Sequence, residues 1–261
     1  MTELHTLASG SSGNAALLSR NGTHVLLDAG ISCRRITAAL QQLGLTPADL
    51  SGILITHCHT DHISGLGTIA KRWDVPIFAS SSTCSQLAYR MAGLERKLCS
   101  IPTGTGFSLG SFTVTAFPTS HDAPGACGYR LDEAGFLTDT GYVTEESADA
   151  LSGAALLVLE ANHDVETLRS GPYPYYLKQR ILGNQGHLSN EAAGEFARRA
   201  AESGTREILL AHLSQENNTP VMAFDAVARA LAVMDAPPAL SVAPRNETSR
   251  LYQTEETPCR K

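Results

Sequence analysis

Three histidines and an aspartate fall within six positions of this sequence, as His57, His59, Asp61 and His62 in the stretch Thr56-His57-Cys58-His59-Thr60-Asp61-His62. Imidazole and carboxylate are ligands that Zn²⁺ and Mn²⁺ accept. The chain holds only nine histidines in 261 residues, so the clustering reads as a metal site. An unpaired buried group of this kind is costly unless something binds it. On an extended chain His57 and His59 point to one side and Cys58 to the other, which makes Cys58 a packed residue rather than a ligand. Asp61 and His62 arrive as the chain turns and reach a second position. The spacing serves two ions better than one, and two ions about 3.5–4 Å apart can hold a bridging hydroxide, lower its pKa and stabilise charge on an attacked group. Hydrolysis is the chemistry such an array favours.

The flanking sequence predicts how these residues are carried. Residues 51–55 are an apolar run suited to a buried strand, and residues 63–70 read as a helix. Upstream, two strands around Asn21-Gly22 form a hairpin signal. Asp28-Ala29-Gly30 closes it, and Ser32 caps a helix with Ile36, Ala39, Leu40 and Leu43 on its apolar face. Downstream, several apolar runs end in side chains that bind metals: His121 after residues 112–117, Asp139 after 135–137, Glu160 after 156–159 and His212 after 207–211. The loop Ser9-Gly10-Ser11-Ser12-Gly13-Asn14 reads either as a flexible turn or as a nest for a phosphate, with Ser11, Ser12 and Asn14 as contacts. No internal repeat and no linker divides the chain. One domain over 1–246 is expected, followed by a polar, frayed tail over 247–261.

Bulk properties bound the function. A net charge of −6 argues against wide non-specific coating of nucleic acid, but not against a nuclease whose metals supply positive charge locally. Scattered basic pairs such as Arg34-Arg35 read as solvated helix faces. No N-terminal charged-then-apolar signal and no spanning apolar run is present, so a cytoplasmic protein with no membrane partner is expected. The six cysteines, Cys33, Cys58, Cys84, Cys99, Cys127 and Cys259, lack paired spacing and read as reduced thiols.

HxHxDH after an apolar strand resembles the signature of the metallo-β-lactamase-fold superfamily, which implies an α/β protein, a four-layer αββα sandwich. Gly186-His187-Leu188-Ser189-Asn190, an Ala-rich helix and then His212-Leu213-Ser214 are similar to the tRNA 3′-processing and phosphodiesterase branch. SGSSGN, SHDA at 120–123, TDTGYV at 138–143, EANHD at 160–164, GHLSN and AHLSQENN at 211–218 together resemble the YycJ/WalJ group of that superfamily, over about residues 7–218. The resemblance implies that His57, His59 and His121 hold one ion, that Asp61, His62 and His212 hold the other, and that Asp139 bridges them. It makes Asp28 a support of the metal loop, Asp61 and His187 catalytic groups with His187 as general acid, and Glu160 the group that orients His187. Two divalent ions, zinc or manganese, are implied. So is a 5′ to 3′ exodeoxyribonuclease, with a part in DNA repair, in which a metal-bound hydroxide attacks phosphorus.

Other readings stay open. The alternative to a nuclease is a small-molecule hydrolase of a cyclic phosphodiester, thioester or lactone with the same metals. A nucleic-acid substrate is expected to be DNA rather than RNA, because no long Gly- and Lys-rich insertion offers an arm for structured RNA. His187 either donates a proton or caps its helix. His163 is either a substrate or metal contact or a surface residue beside Asp164. Tyr173, Tyr175 and Tyr176, with Lys178 and Arg180, form an aromatic and basic patch that either stacks bases or, the favoured reading, lids the core.

Overall fold

Residues 1–254 are described in the computed structural model of the protein; Cys259 and the rest of the expected tail lie outside the described residues. In chain order the elements are β1 (Glu3–Ala8), β2 (Ala15–Arg20), β3 (Thr23–Leu27), α1 (Cys33–Gln42), β4 (Gly52–Leu54), α2 (Thr60–Ile63), α3 (Leu66–Arg72), β5 (Ile77–Ser80), α4 (Ser81–Arg90) and β6 (Leu98–Ile101). There follow β7 (Gly106–Leu109), β8 (Phe112–Pro118), β9 (Cys127–Leu131), β10 (Ala134–Leu137), α5 (Glu145–Leu151), β11 (Leu156–Glu160), α6 (Val165–Ser170), α7 (Tyr175–Leu182), α8 (Asn190–Glu202), β12 (Glu207–Ala211), α9 (Pro220–Leu231), β13 (Ala239–Val242) and β14 (Tyr252–Gln253).

The strands form two sheets, ordered β14-β1-β2-β3-β4-β5-β6 and β13-β12-β11-β10-β9-β8-β7. Period-two alternation decides which side chains go where. In β3, Leu26 packs toward α1 while Val25 and Leu27 pack between the sheets. In β11, Leu156 and Val158 face the first sheet, and Leu157 and Leu159 face the layer of α5, α8 and α9. Strands covered on both faces carry unbroken apolar runs, as β4 and β11 do. Three cores thus separate four layers, helices on sheet on sheet on helices, which is the expected αββα sandwich.

Two expectations change. The helix expected over 63–70 is divided: α2 starts inside the histidine motif, and α3 follows a break at Ser64-Gly65. There Gly65 N donates to Ala29 O at 2.8 Å and Ser64 Oγ to Gly30 O at 2.6 Å. A Cβ on Gly65 would lie 2.3 Å from Ile31 O, so the loop after β3 occupies the space a continuous helix needs. The polar segment after Asn246 does not fray through Thr254. It runs along β1, with Ser249 N donating to Thr6 O at 2.8 Å and Leu4 paired with Tyr252, which is buried between the sheets. The segment covers the otherwise open edge of β1 and buries the Tyr252 ring.

Candidate metal centre

The C-terminal ends of β3, β4, β10, β11 and β12 meet at one edge of the sandwich. Bonds between the sheets fasten them there: Tyr129 Oη donates to Ile55 O at 2.8 Å, Cys127 N to Thr56 O at 3.1 Å, and His212 N to Ser9 Oγ at 2.9 Å. Three of the residues presented at this edge sit in the left-handed region, Asp28 at φ 58°, Asp139 at φ 57° and His212 at φ 57°. Non-glycine residues there are uncommon and concentrate at functional sites.

Donor atoms of His57, His59 and His121 lie within 4.8 Å of one another, as do those of Asp61, His62 and His212. Asp139 lies between the two groups, its Oδ1 3.8 Å from His121 Nε2 and 3.4 Å from His212 Nε2, its Oδ2 3.3 Å from His62 Nε2. The two groups contain the residues that the superfamily resemblance names for its two ions, and Asp139 stands between them.

The outer nitrogens of the rings are already engaged. His62 Nδ1 donates to Asp28 Oδ2 at 2.7 Å, His121 Nδ1 to Gly186 O at 3.1 Å, and His212 Nδ1 to Glu160 Oε1 at 3.1 Å. His57 Nδ1 lies 3.0 Å from Thr56 Oγ1, whose hydroxyl reaches both Asp28 oxygens. Outer partners of this kind leave Nε2 as the ligand atom and fix the ring plane. The inner atoms are left over: His57 Nε2 and Asp139 Oδ2 are buried without a hydrogen-bond partner, and His121 Nε2 faces His59 Nδ1 at 3.2 Å. Buried orphans are costly, and a cation among these donors satisfies all of them. The donor set therefore fits divalent metal.

Electrostatics agree. Burial, reinforced by His62, holds the His57 imidazole well below its usual range, so the ring is neutral. Burial works against the Asp139 carboxylate, but His212, His62, His57 and His121 around it keep it well below the usual range. Burial also opposes charge on His212, yet Asp139, Asp61 and Glu160 push it up to about 10. Burial raises the Cys58 thiol to about 11, and its Sγ–H donates to Thr83 O, so Cys58 is packed away from the site.

Glu160 is fully buried, and its donor atom lies within 4.8 Å of those of Asp139, His187 and His212 in a further group that could hold an ion. Its Oε1 accepts from His187 Nδ1 at 2.8 Å and its Oε2 from Thr140 N and Leu188 N at 3.0 and 3.2 Å, so both oxygens are engaged. His187 stacks on His212 with centroids 5.3 Å apart, and like His59, Asp61 and Asp122 it is partly exposed. Ser11 and Ser12 are exposed, but Asn14 is buried and bonds Gly10, Asp61 O and His62 Nε2. Asn14 thus joins the SGSSGN loop to the histidine motif, and Gly30 allows the approach, since a Cβ there would lie 1.6 Å from Asp61 O. His163 is 1 % exposed, not a surface residue, and burial takes it down to about 4 with Nδ1 unpartnered; it joins no ligand group.

Sequence reasoning passed over Thr56 and Asp122. Thr56 opens the motif itself, and its hydroxyl links Asp28, His57 and His62. Asp122 follows His121 and sits 3.6 Å from His59 Nε2 while accepting from Arg180 Nε at 2.5 Å. The signal for each was adjacency to a histidine.

The Beta-lactamase superfamily domain family matches residues 23–213. The chain is 40% identical over 238 residues to Exodeoxyribonuclease WalJ of Streptococcus pneumoniae, covering 88% of each chain. It is 37% identical over 237 residues to Exodeoxyribonuclease YycJ of Bacillus anthracis, covering 86% of this chain and 87% of that one. Among solved structures, the metallo-beta-lactamase fold protein YhfI from Bacillus subtilis superposes with a TM-score of 0.74 at 17% identity, covering 96% of this chain and 98% of that one, a likeness of fold.

Proposed function

The chain belongs to the metallo-β-lactamase-fold family of the Beta-lactamase superfamily domain, and from that membership we propose that it is a dinuclear metal-dependent phosphodiesterase, a 5′ to 3′ exodeoxyribonuclease with a part in DNA repair. The observation that carries the reading is the pair of ligand groups around Asp139, with His187 held beside them by Glu160. His57, His59 and His121 would hold one ion, Asp61, His62 and His212 the other, and Asp139 both. When bound, zinc or manganese ions supply Lewis acidity for the attacking water and the phosphoryl oxygens.

The protein's own groups do the rest. Asp28 and Thr56 aim His62 and His57 inward, and Glu160 fixes the Nδ1 proton of His187. With Nδ1–H held on Glu160, the imidazolium form of His187 has its Nε2 proton free to give to the leaving oxygen, and the ring returns to the neutral Nδ1–H form. The 40% identical relative is named an exodeoxyribonuclease, which supports DNA as the polymer. No described helix is long and apolar enough to cross a membrane, and a cytoplasmic site of action accompanies the proposal.

The test is cleavage of end-labelled DNA and RNA, single and double stranded, by purified protein with Mn²⁺ or Zn²⁺. Mononucleotides released from the 5′ end of DNA, sharply fewer with His187→Ala, are expected. Turnover of a small phosphodiester or thioester with no polymer cut would move the chain to small-molecule hydrolysis. Equal cleavage by folded His57→Ala and Asp61→Ala proteins would remove the metal mechanism altogether.

A further inference from the structure

The aromatic and basic stretch expected to lid the core does not. Tyr175 and Tyr176 are 77% and 74% exposed, and α7, which carries them, has no buried residue. An eight-residue helix does not hold itself together in water. Its partners hold it: Lys178 Nζ donates to Arg169 O at 2.7 Å, His187 N to Ile181 O at 3.1 Å, and Ser120 Oγ to Asn184 O at 2.7 Å. Two of these ties run to the segments that carry His121 and His187. The helix is therefore fixed to the metal centre while its rings stand in solvent.

The two tyrosines face different ways. Tyr175, with Lys178, Gln179 and Arg169, lines a shallow hollow of ≈ 420 Å³. Tyr176 is one turn from Arg180, and residues four apart share a helix face. Arg180 Nε lies 2.5 Å from Asp122 Oδ2, and Asp122 Oδ1 lies 3.6 Å from His59 Nε2 and 3.5 Å from His121 Nε2. The Tyr176–Arg180 face thus continues into the open rim of the metal centre. The chain is acidic as a whole, and the half-exposed guanidinium of Arg180 is the group on this face that can meet a phosphate once it leaves Asp122. Its ion pair with Asp122 is partly exposed, and pairs open to water contribute little to stability.

We propose that the Tyr176–Arg180 face of α7 is the track on which a single DNA strand enters the metal centre, Tyr176 stacking on a base and Arg180 holding the phosphate beside the one that is cut. The proposal rests on the nuclease reading. Rings stack on bases that are free of a duplex, and a cation meets the backbone between them, which is how sequence-independent single-strand sites are built. Tyr176 acts on binding, so its loss appears in KM more than in kcat.

The test compares kcat/KM on 5′-labelled single-stranded DNA and on a small chromogenic phosphodiester for the parent, Tyr176→Ala, Tyr176→Phe, Arg180→Gln and Tyr175→Ala. Losing one base–ring stack lowers kcat/KM on DNA about 5- to 150-fold; that loss is expected for Tyr176→Ala, mostly in KM, with a far smaller fall on the diester. Tyr176→Phe, which keeps the ring, is expected near the parent, Arg180→Gln to weaken DNA binding and flatten its salt dependence, and Tyr175→Ala to change cleavage less than twofold. Tyr176→Ala cutting DNA like the parent, falling equally on both substrates, or altering the mass in light scattering would each overturn the track and leave the nuclease standing. A parent that turns over the diester and cuts no DNA overturns the nuclease reading, and the track with it.

Discussion

The two halves of the molecule follow one course. From β14 to β6 three antiparallel pairings are followed by three parallel ones, and from β7 to β13 the same series recurs. At the switch, β3 and β10 each run into a left-handed aspartate, Asp28 and Asp139, with nearly equal φ. Aspartate tolerates that conformation better than most residues. The fates of the two carboxylates differ. Asp28 is satisfied within its own half, by Thr56 N, Thr56 Oγ1 and His62 Nδ1. Asp139 faces imidazoles from both halves and keeps one oxygen unpartnered. The same backbone slot thus holds a carboxylate satisfied by its own half in one case and one facing imidazoles of both halves in the other, and the proposed function makes the first a support and the second a bridging ligand.

The contrast is tested most severely by replacing each aspartate with asparagine, which retains the left-handed conformation and the shape. Asp139→Asn, like His57→Ala or His212→Ala, is expected to lower cleavage roughly a thousandfold, since a bound metal contributes several kcal/mol to the transition state. Asp28→Asn is expected to cost about 10- to 100-fold in metal affinity, the usual effect of an outer partner. Metal titrations and rates on folded variants would measure both, and equal losses would erase the distinction between support and bridge. Glu160→Gln belongs with Asp28, at about 10- to 100-fold in rate, because it touches His187 and His212 from behind.

A smaller effect comes from protons. His212, pushed up to about 10 by Asp139, Asp61 and Glu160 against the opposing effect of burial, carries a proton at pH 7 and must lose it to bind a metal. Metal affinity is therefore expected to rise with pH, by at most about tenfold per unit for each proton released, up to pH 10. Calorimetry in buffers of different ionisation enthalpy counts those protons; a count of zero would contradict the assignment of His212. The smallest effect is expected at Cys58, inside the motif but packed against Thr83 O. Cys58→Ala is expected to keep the parental metal content, and the buried thiol, raised to about 11, to resist alkylation at pH 8. Mass spectrometry of the alkylated, folded protein reads this directly.

Much of the site was legible because it is local. His57, His59, Asp61 and His62 follow one strand, and their spacing alone separates two directions in space. Asp139, Glu160 and His212 were visible as polar ends of apolar runs, which is where parallel strands deliver side chains to a crevice. The hairpin, the capped α1 and the buried strands were likewise written in turn residues and alternation. The break between α2 and α3 was not, because it is made by the loop after β3 lying against Gly65. Nor was the docking of Tyr252 on β1, a contact across nearly the whole chain.

The sequence by itself determined the ligand types, the contiguous half of the metal centre and the period that builds each strand, because these depend on neighbours a few residues apart. Only the tertiary structure decided that Asp28 is satisfied within its own half while Asp139 faces imidazoles of both, that Glu160 stands behind two histidines, and that Tyr176 stands in solvent one turn from Arg180. Those roles depend on which groups from distant strands meet at one edge of the sandwich, and pairing between sheets leaves no local pattern in the chain.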